Sequence, residues 1–124
     1  MDPVTFLLVG VGAAVGAPLR YLADAAVRSR FDPVFPWATF AVNAAGSFLL
    51  GALLGAAGML PPEIGALLGT GFCGALTTYS TFGYELVALA ERRAGRTALV
   101  YLAGSAVSGI VAAAAGWTLA RLVL

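Results

Sequence analysis

Four long apolar runs, separated by short polar breaks, divide the chain into residues 4–22, 35–58, 64–90 and 97–120. Each is long enough for the about 20 residues, range roughly 17–25, that cross a hydrocarbon core as helix. The connectors are 23–34, 59–63 and 91–96, and the last two are very short, so neighbouring helices are expected to run antiparallel. The pattern predicts an all-α membrane protein, a single transmembrane domain over residues 1–124 with four membrane-spanning helices. The first run follows Met-Asp-Pro with no basic segment and no clear cleavage site, and is expected to be a retained helix rather than a signal peptide.

The third run breaks the pattern. It holds Gly69, Gly71 and Gly74, then Thr77, Thr78, Ser80 and Thr81 interleaved with Tyr79 and Phe82. It is also too long, since about 27 residues make roughly 40 Å of helix against a core of about 30 Å. Tilt absorbs part of such an excess, and a break absorbs the rest. Gly71 and Gly74 weaken helix locally, and the hydroxyls of Thr77 and Thr78 compete for backbone groups. A continuous, glycine-rich packing helix is the other reading. A break at this depth must be buried in protein or face a cavity, and its freed carbonyls can coordinate a hard cation such as Na⁺.

The remaining runs carry isolated polar positions. In the first, Gly12 and Gly16 form a close-packing pair, and Arg20 stands near the end, placed either to reach the headgroups or to line a vestibule that attracts anions. The first connector, with Asp24, Arg28, Arg30, Asp32, Pro33 and Pro36, reads as an interfacial segment with one more helical turn and an extended entry. Trp37 fits an aromatic belt. In the second run Asn43 and Ser47 share one helix face, and an amide there must find a partner, either as interhelical glue or along a polar path. Gly51 and Gly55 make a second close-packing pair, and Tyr101, Ser105 and Ser108 form one polar stripe on the fourth run.

Composition narrows the chemistry. The chain is 60% hydrophobic and 10% charged, so membrane residence is the economical reading. A net charge of +1 gives no argument for a nucleic-acid partner. With no His and one Cys, Cys73, metal clusters of those residues, disulfides and His-dependent nucleophilic catalysis are excluded within one chain. No paired carboxylates, nucleophile–base set or cofactor loop is visible, so an enzyme is not expected, and Cys73 reads as a small packing residue.

Three motifs together resemble a known family. Gly71-Phe-Cys-Gly74-Ala-Leu-Thr77-Thr-Tyr-Ser-Thr-Phe82 is similar to the third-helix signature of the Fluc (CrcB-type) fluoride channels. Gly16-Ala-Pro-Leu-Arg20-Tyr and Thr39-Phe-Ala-Val-Asn43-Ala-Ala-Gly-Ser-Phe are similar to that family's other motifs, in the right runs and order. The resemblance implies an antiparallel dimer of four-helix subunits in the cell membrane of a bacterium or archaeon. It implies two fluoride paths along the subunit interfaces, which give passive efflux and lower toxic cytoplasmic fluoride. It also implies a structural Na⁺ at the dimer centre, held by the backbone carbonyls of Gly74 and Thr77 of each subunit. By the same resemblance Tyr79 and Phe82 are the pore aromatics and Asn43 is the pore-lining amide. Ser80, Thr81, Tyr101 and Ser105 belong to or adjoin the fluoride path, and Arg20 belongs to the vestibule. The physics agrees: ring edges and uncharged donors replace part of an anion's hydration without a fixed charge to trap it.

Two features depart from the family pattern. Tyr79 stands where the family usually has Phe, which keeps the ring edge and adds a para hydroxyl. Arg20, Arg28, Arg30, Arg92, Arg93 and Arg96 fall at one membrane face and Arg121 alone at the other. Such a bias sets orientation, so the subunit is expected to insert mainly with both termini outside and to pair with an oppositely oriented homologue; a dual-topology antiparallel homodimer is the other reading. The alternatives are a small four-helix multidrug or cation exporter, or a non-transporting membrane assembly subunit. Proton-coupled export of cations needs a membrane-embedded acid, typically in the first helix, and residues 4–22 contain none; Glu85 is the one candidate. An assembly subunit would use its polar residues as glue only.

Overall fold

The computed structural model describes residues 2–30 and 34–124. Helix α1 spans Pro3–Arg30 and α2 spans Trp37–Gly55. Helix α3 covers residues 62–76, as Pro62–Ile64, a π-helical stretch Gly65–Cys73 and Gly74–Leu76. Helix α4 is Ser80–Glu91 and α5 is Gly95–Val123. The described residues hold no strand. Three helices, α1, α2 and α5, are long and apolar enough to cross a membrane, and α3 with α4 supplies the fourth crossing as one bent element.

The expected runs differ from these helices in informative ways. Beyond Leu22, α1 continues to Arg30, which is more than the one turn expected. Residues 23–30 are alanine-rich, and Asp24 and Arg28 pair across one turn at 3.0 Å, which suits an exposed helical end. Asp32 and Pro33 of that connector lie outside the described residues. At the other end, Asp2 Oδ1 accepts the Thr5 N–H at 2.7 Å, satisfying one of the free donors of α1. That same N–H holds the Asp2 carboxyl below its ordinary value.

The break in the third span is real, but it is not where the glycines are. Of the residues expected to weaken the helix, Gly71 and Gly74 lie within it, since it runs through Leu76, and Thr77 and Thr78 fall in the interruption, Thr77–Tyr79. Gly71 is buried, and a Cβ there would lie 2.6 Å from the Val9 carbonyl oxygen of α1. This glycine serves close approach rather than unwinding. The π stretch does loosen the helix nearby, with the Gly74 N–H reaching back to Gly69 O, five residues earlier. Widened turns of this kind recur beside functional sites.

Consecutive helices reverse direction as expected, yet the tight packing is between alternate, parallel helices. Gly12 and Gly16 of α1 lie against the α3 backbone at Leu67 and Phe72. Gly51 and Gly55 of α2 meet Ala113 and Trp117 of α5, and Gly116 returns the contact at Phe48. Both pairs advance together along the chain, which fixes them as parallel. Backbones meet this closely in lipid because small residues permit it and dispersion rewards it. The core is thin, centred on Cys73 and Tyr101, each 0% exposed. Large apolar side chains such as Phe6, Leu54, Ile110 and Leu122 face outward, as lipid contact requires.

Candidate functional site

The site is built on the interruption between α3 and α4. Thr77 ends α3 by donating both its N–H (2.9 Å) and its Oγ1 hydroxyl (2.7 Å) to the Cys73 carbonyl. Its ψ of 159 then turns the chain into extended backbone. In a continuous helix the Thr78 N–H would bond the Gly74 carbonyl. It donates instead to Asn43 Oδ1 at 2.8 Å, and Asn43 Nδ2 donates back to Thr78 O at 3.0 Å. One buried amide thus replaces both helical bonds of a single residue. Thr81 repeats the diversion, its N–H going to Thr78 Oγ1 at 3.2 Å rather than to the Thr77 carbonyl.

The interruption leaves the carbonyls of residues 74–77 without their helical donors, those of Gly74 and Thr77 among them. Gly74 is exposed, and a Cβ there would meet only Gly69 O, at 3.9 Å. Tyr79, next along, is 87% exposed. Thr77 packs its Cγ2 into the space left by Gly46 of α2, which seats the interruption against that helix.

Beside the break runs a groove of about 360 Å³ between α2, α4 and α5, lined among others by Asn43, Ser47, Tyr79, Phe82, Ser105 and Ser108. It carries hydroxyls, an amide and ring edges, and no charged side chain. Ser105 Oγ is buried there without a hydrogen-bond partner. Ser108 Oγ is occupied by the Ser105 carbonyl at 3.3 Å. At its head Phe82 stands edge-on to Tyr101, ring centroids 4.9 Å apart at 62°. Phe35 meets the same Tyr101 ring at 5.2 Å and 75°.

A second, polar cleft of about 260 Å³ opens toward the membrane face that bears most of the arginines. Arg20, Asp24, Thr39, Thr81 and Glu85 are among its walls. The Tyr101 hydroxyl donates to Glu85 Oε1, on the cleft wall, at 2.9 Å from a fully buried ring.

The structure thus gathers Asn43, Tyr79, Phe82 and Ser105 on the groove, while Tyr101 is fully buried against Phe82 and lines neither groove nor cleft. It sets Thr81 and Arg20 on the cleft, and leaves Ser80 exposed on neither wall. Asn43 lines the groove while its amide braces the break. Glu85 was not expected at the site, although it walls the cleft and takes the Tyr101 proton donor. The signal available for it was an acid inside an apolar run.

Apolar helices long enough to cross a membrane, with an interrupted helix beside a groove that carries no charged side chain among the described residues, define a small multi-pass membrane protein. The chain belongs to the CrcB-like family: residues 7–117 match the family described as CrcB-like protein, Camphor Resistance (CrcB). It is 53% identical to the fluoride-specific ion channel FluC 1 of Frankia casuarinae, covering 97% of this chain and 98% of that one. It is also 53% identical to FluC 1 of Streptomyces avermitilis, over 91% of this chain and 93% of the relative. FluC 2 of Rhodococcus jostii is 48% identical, over 94% and 98% of the two chains.

Proposed function

We propose that this chain is a fluoride-specific channel that lets fluoride leave the cell down its gradient. The observation that carries the reading is the uncharged groove, in which Ser105 Oγ, buried and unpaired, offers a donor beside the Phe82 ring edge. The relatives named as fluoride-specific channels supply the identity of the ion. Anions collect at Arg20, pass Thr81 and the Glu85–Tyr101 bond, and shed water stepwise onto ring edges and hydroxyls. No fixed positive charge lies in the groove to hold the ion there.

The active unit is an antiparallel pair. A single subunit leaves Tyr79 and Gly74 on its surface, where a second copy, or an oppositely oriented homologue, completes the path. The Gly74 and Thr77 carbonyls suit a structural Na⁺ shared by the two subunits, since hard cations take oxygen ligands freed at helix breaks. Bound there, Na⁺ would tie the two interrupted helices together and raise the local positive potential.

Reconstituted liposomes loaded with fluoride should release it passively while retaining chloride. Absence of fluoride release, from this chain alone or mixed with a homologue, would remove the channel reading. Orientation is tested separately. The arginines at the α1–α2 and α4–α5 ends favour insertion with both termini outside. C-terminal reporter fusions should then report only the outer compartment. Equal inner and outer signals would instead mark dual insertion and a homodimer.

A further inference from the structure

We infer that Ser47 is a further pore-lining hydroxyl, the last donor fluoride meets along α2, and that Gly109 keeps it reachable. The inference rests on the fluoride-channel reading and adds a position to it.

Helices α2 and α5 run parallel in a fixed register that repeats every four residues. Tyr101 faces the Thr39 level, Ser105 the Asn43 level and Gly109 the Ser47 level; Ala113 and Trp117 then meet Gly51 and Gly55. Polar groups therefore stack as rungs about 6 Å apart, the rise of four helical residues. At the first rung the Tyr101 hydroxyl is bonded to Glu85. At the second, the Asn43 amide is engaged by Thr78, and Ser105 Oγ is buried and unpaired. At the third, α5 has no side chain: the position a Gly109 Cβ would take lies 3.7 Å from Ser47 Oγ.

A serine that glues two helices bonds a polar atom on the facing helix. Ser47 faces a glycine, and among the described residues no side-chain hydrogen bond engages it, whereas Ser108 and Thr118 satisfy theirs on backbone carbonyls one turn back. Its side chain instead lines the groove that holds Ser105 and Phe82. One turn further the path between the helices ends, because Gly51 sits directly on the Ala113 carbonyl. An anion moving along the groove from Ser105 thus meets Ser47 as the next free donor and the last one before the helices close.

The test is fluoride release from liposomes containing the dimeric protein, with assembly followed by size-exclusion chromatography. Ser47→Ala should slow release about tenfold, the factor expected for one hydrogen bond to the moving ion. Gly109→Ala removes no donor and fits without a clash, since 3.7 Å is ordinary contact, but lays a methyl over the Ser47 hydroxyl. It should slow release by a similar factor with assembly unchanged, and the double variant should be no slower than either single one. Release within about twofold of the original for both variants, a difference too small for a lost hydrogen bond, overturns the inference. A slow Ser47→Ala with an unaffected Gly109→Ala overturns it too, because the hydroxyl would then be structural. A parent protein that releases no fluoride ends both this inference and the channel reading. A parent that conducts alongside unaffected variants ends this inference alone.

Discussion

Replacing Asn43 with alanine should abolish fluoride release, by about 100-fold or more, and should do so by rebuilding the third span. The amide holds the Thr78 N–H at 2.8 Å and the Thr78 carbonyl at 3.0 Å. Without it, two backbone groups face an apolar setting unpaired, each at about 1–3 kcal/mol. The cheapest repair is the helical one: Thr78 N–H returns to the Gly74 carbonyl and the interruption closes. That repair re-engages the Gly74 carbonyl and rotates Tyr79 and Phe82 away from the groove. A loss of about 2.7 kcal/mol, within the about 2–6 kcal/mol that the two penalties sum to, corresponds to the expected 100-fold. Release within a few-fold of the original would show that the break stands without its brace. Asn43→Asp sharpens the point, because a carboxylate still accepts from Thr78 N–H but cannot donate to Thr78 O and brings a charge into the groove. It should retain more assembled protein than Asn43→Ala and still fail to conduct.

This brace explains which parts of the architecture were legible in the sequence. The four spans were, because a hydrocarbon core imposes length and apolarity that no packing detail overrides. The existence of a break was legible as well, from an overlong run with threonines at mid-depth. Its position was not. Gly71 and Gly74 look like the weak points, yet Gly71 is fully committed to the α1 backbone at Val9, and the helix persists past both. Thr77 ends it, as the threonines suggested, but the interruption is braced by a residue on another helix, Asn43, which takes the Thr78 N–H, and such a partner is invisible from local propensity. Glu85 escaped for a related reason. As one acid near the end of a run it looks like an interfacial charge, and it becomes part of the site only because Tyr101 comes within 2.9 Å from 16 residues away. Glycine spacing, finally, announced that Gly12, Gly16, Gly51 and Gly55 pack closely, but named no partners. The pairing of parallel α1 with α3 and α2 with α5 emerged only from the structure.

Gly16→Ala should be strongly destabilising although alanine is the better helix former, and Gly10→Ala, two turns away on the same helix, should be neutral or mildly stabilising. A Cβ at position 10 meets nothing within 4 Å, so there the substitution acts only through propensity, favourable by about 0.5–1 kcal/mol. A Cβ at position 16 would strike the Phe72 carbonyl oxygen and approach the Ala75 Cβ to 3.2 Å. Backbone cannot rotate aside as a side chain can, so α1 and α3 must separate along their seam, with overpacking of about 1–3 kcal/mol. Dispersion between closely apposed backbones is what holds helices together in lipid, and it decays within an ångström of separation. Thermal midpoints of the detergent-solubilised protein read this directly: a clear fall for Gly16→Ala, none for Gly10→Ala. Equal midpoints would mean that α1 is not held at α3 by this seam. The seam also bears on conduction, because Ala75 and Leu76 immediately precede Thr77, so a displaced α3 carries the Gly74 and Thr77 carbonyls with it. Fluoride release from whatever Gly16→Ala protein still assembles should therefore fall further than its amount does, whereas a loss proportional to amount would confine the seam to stability.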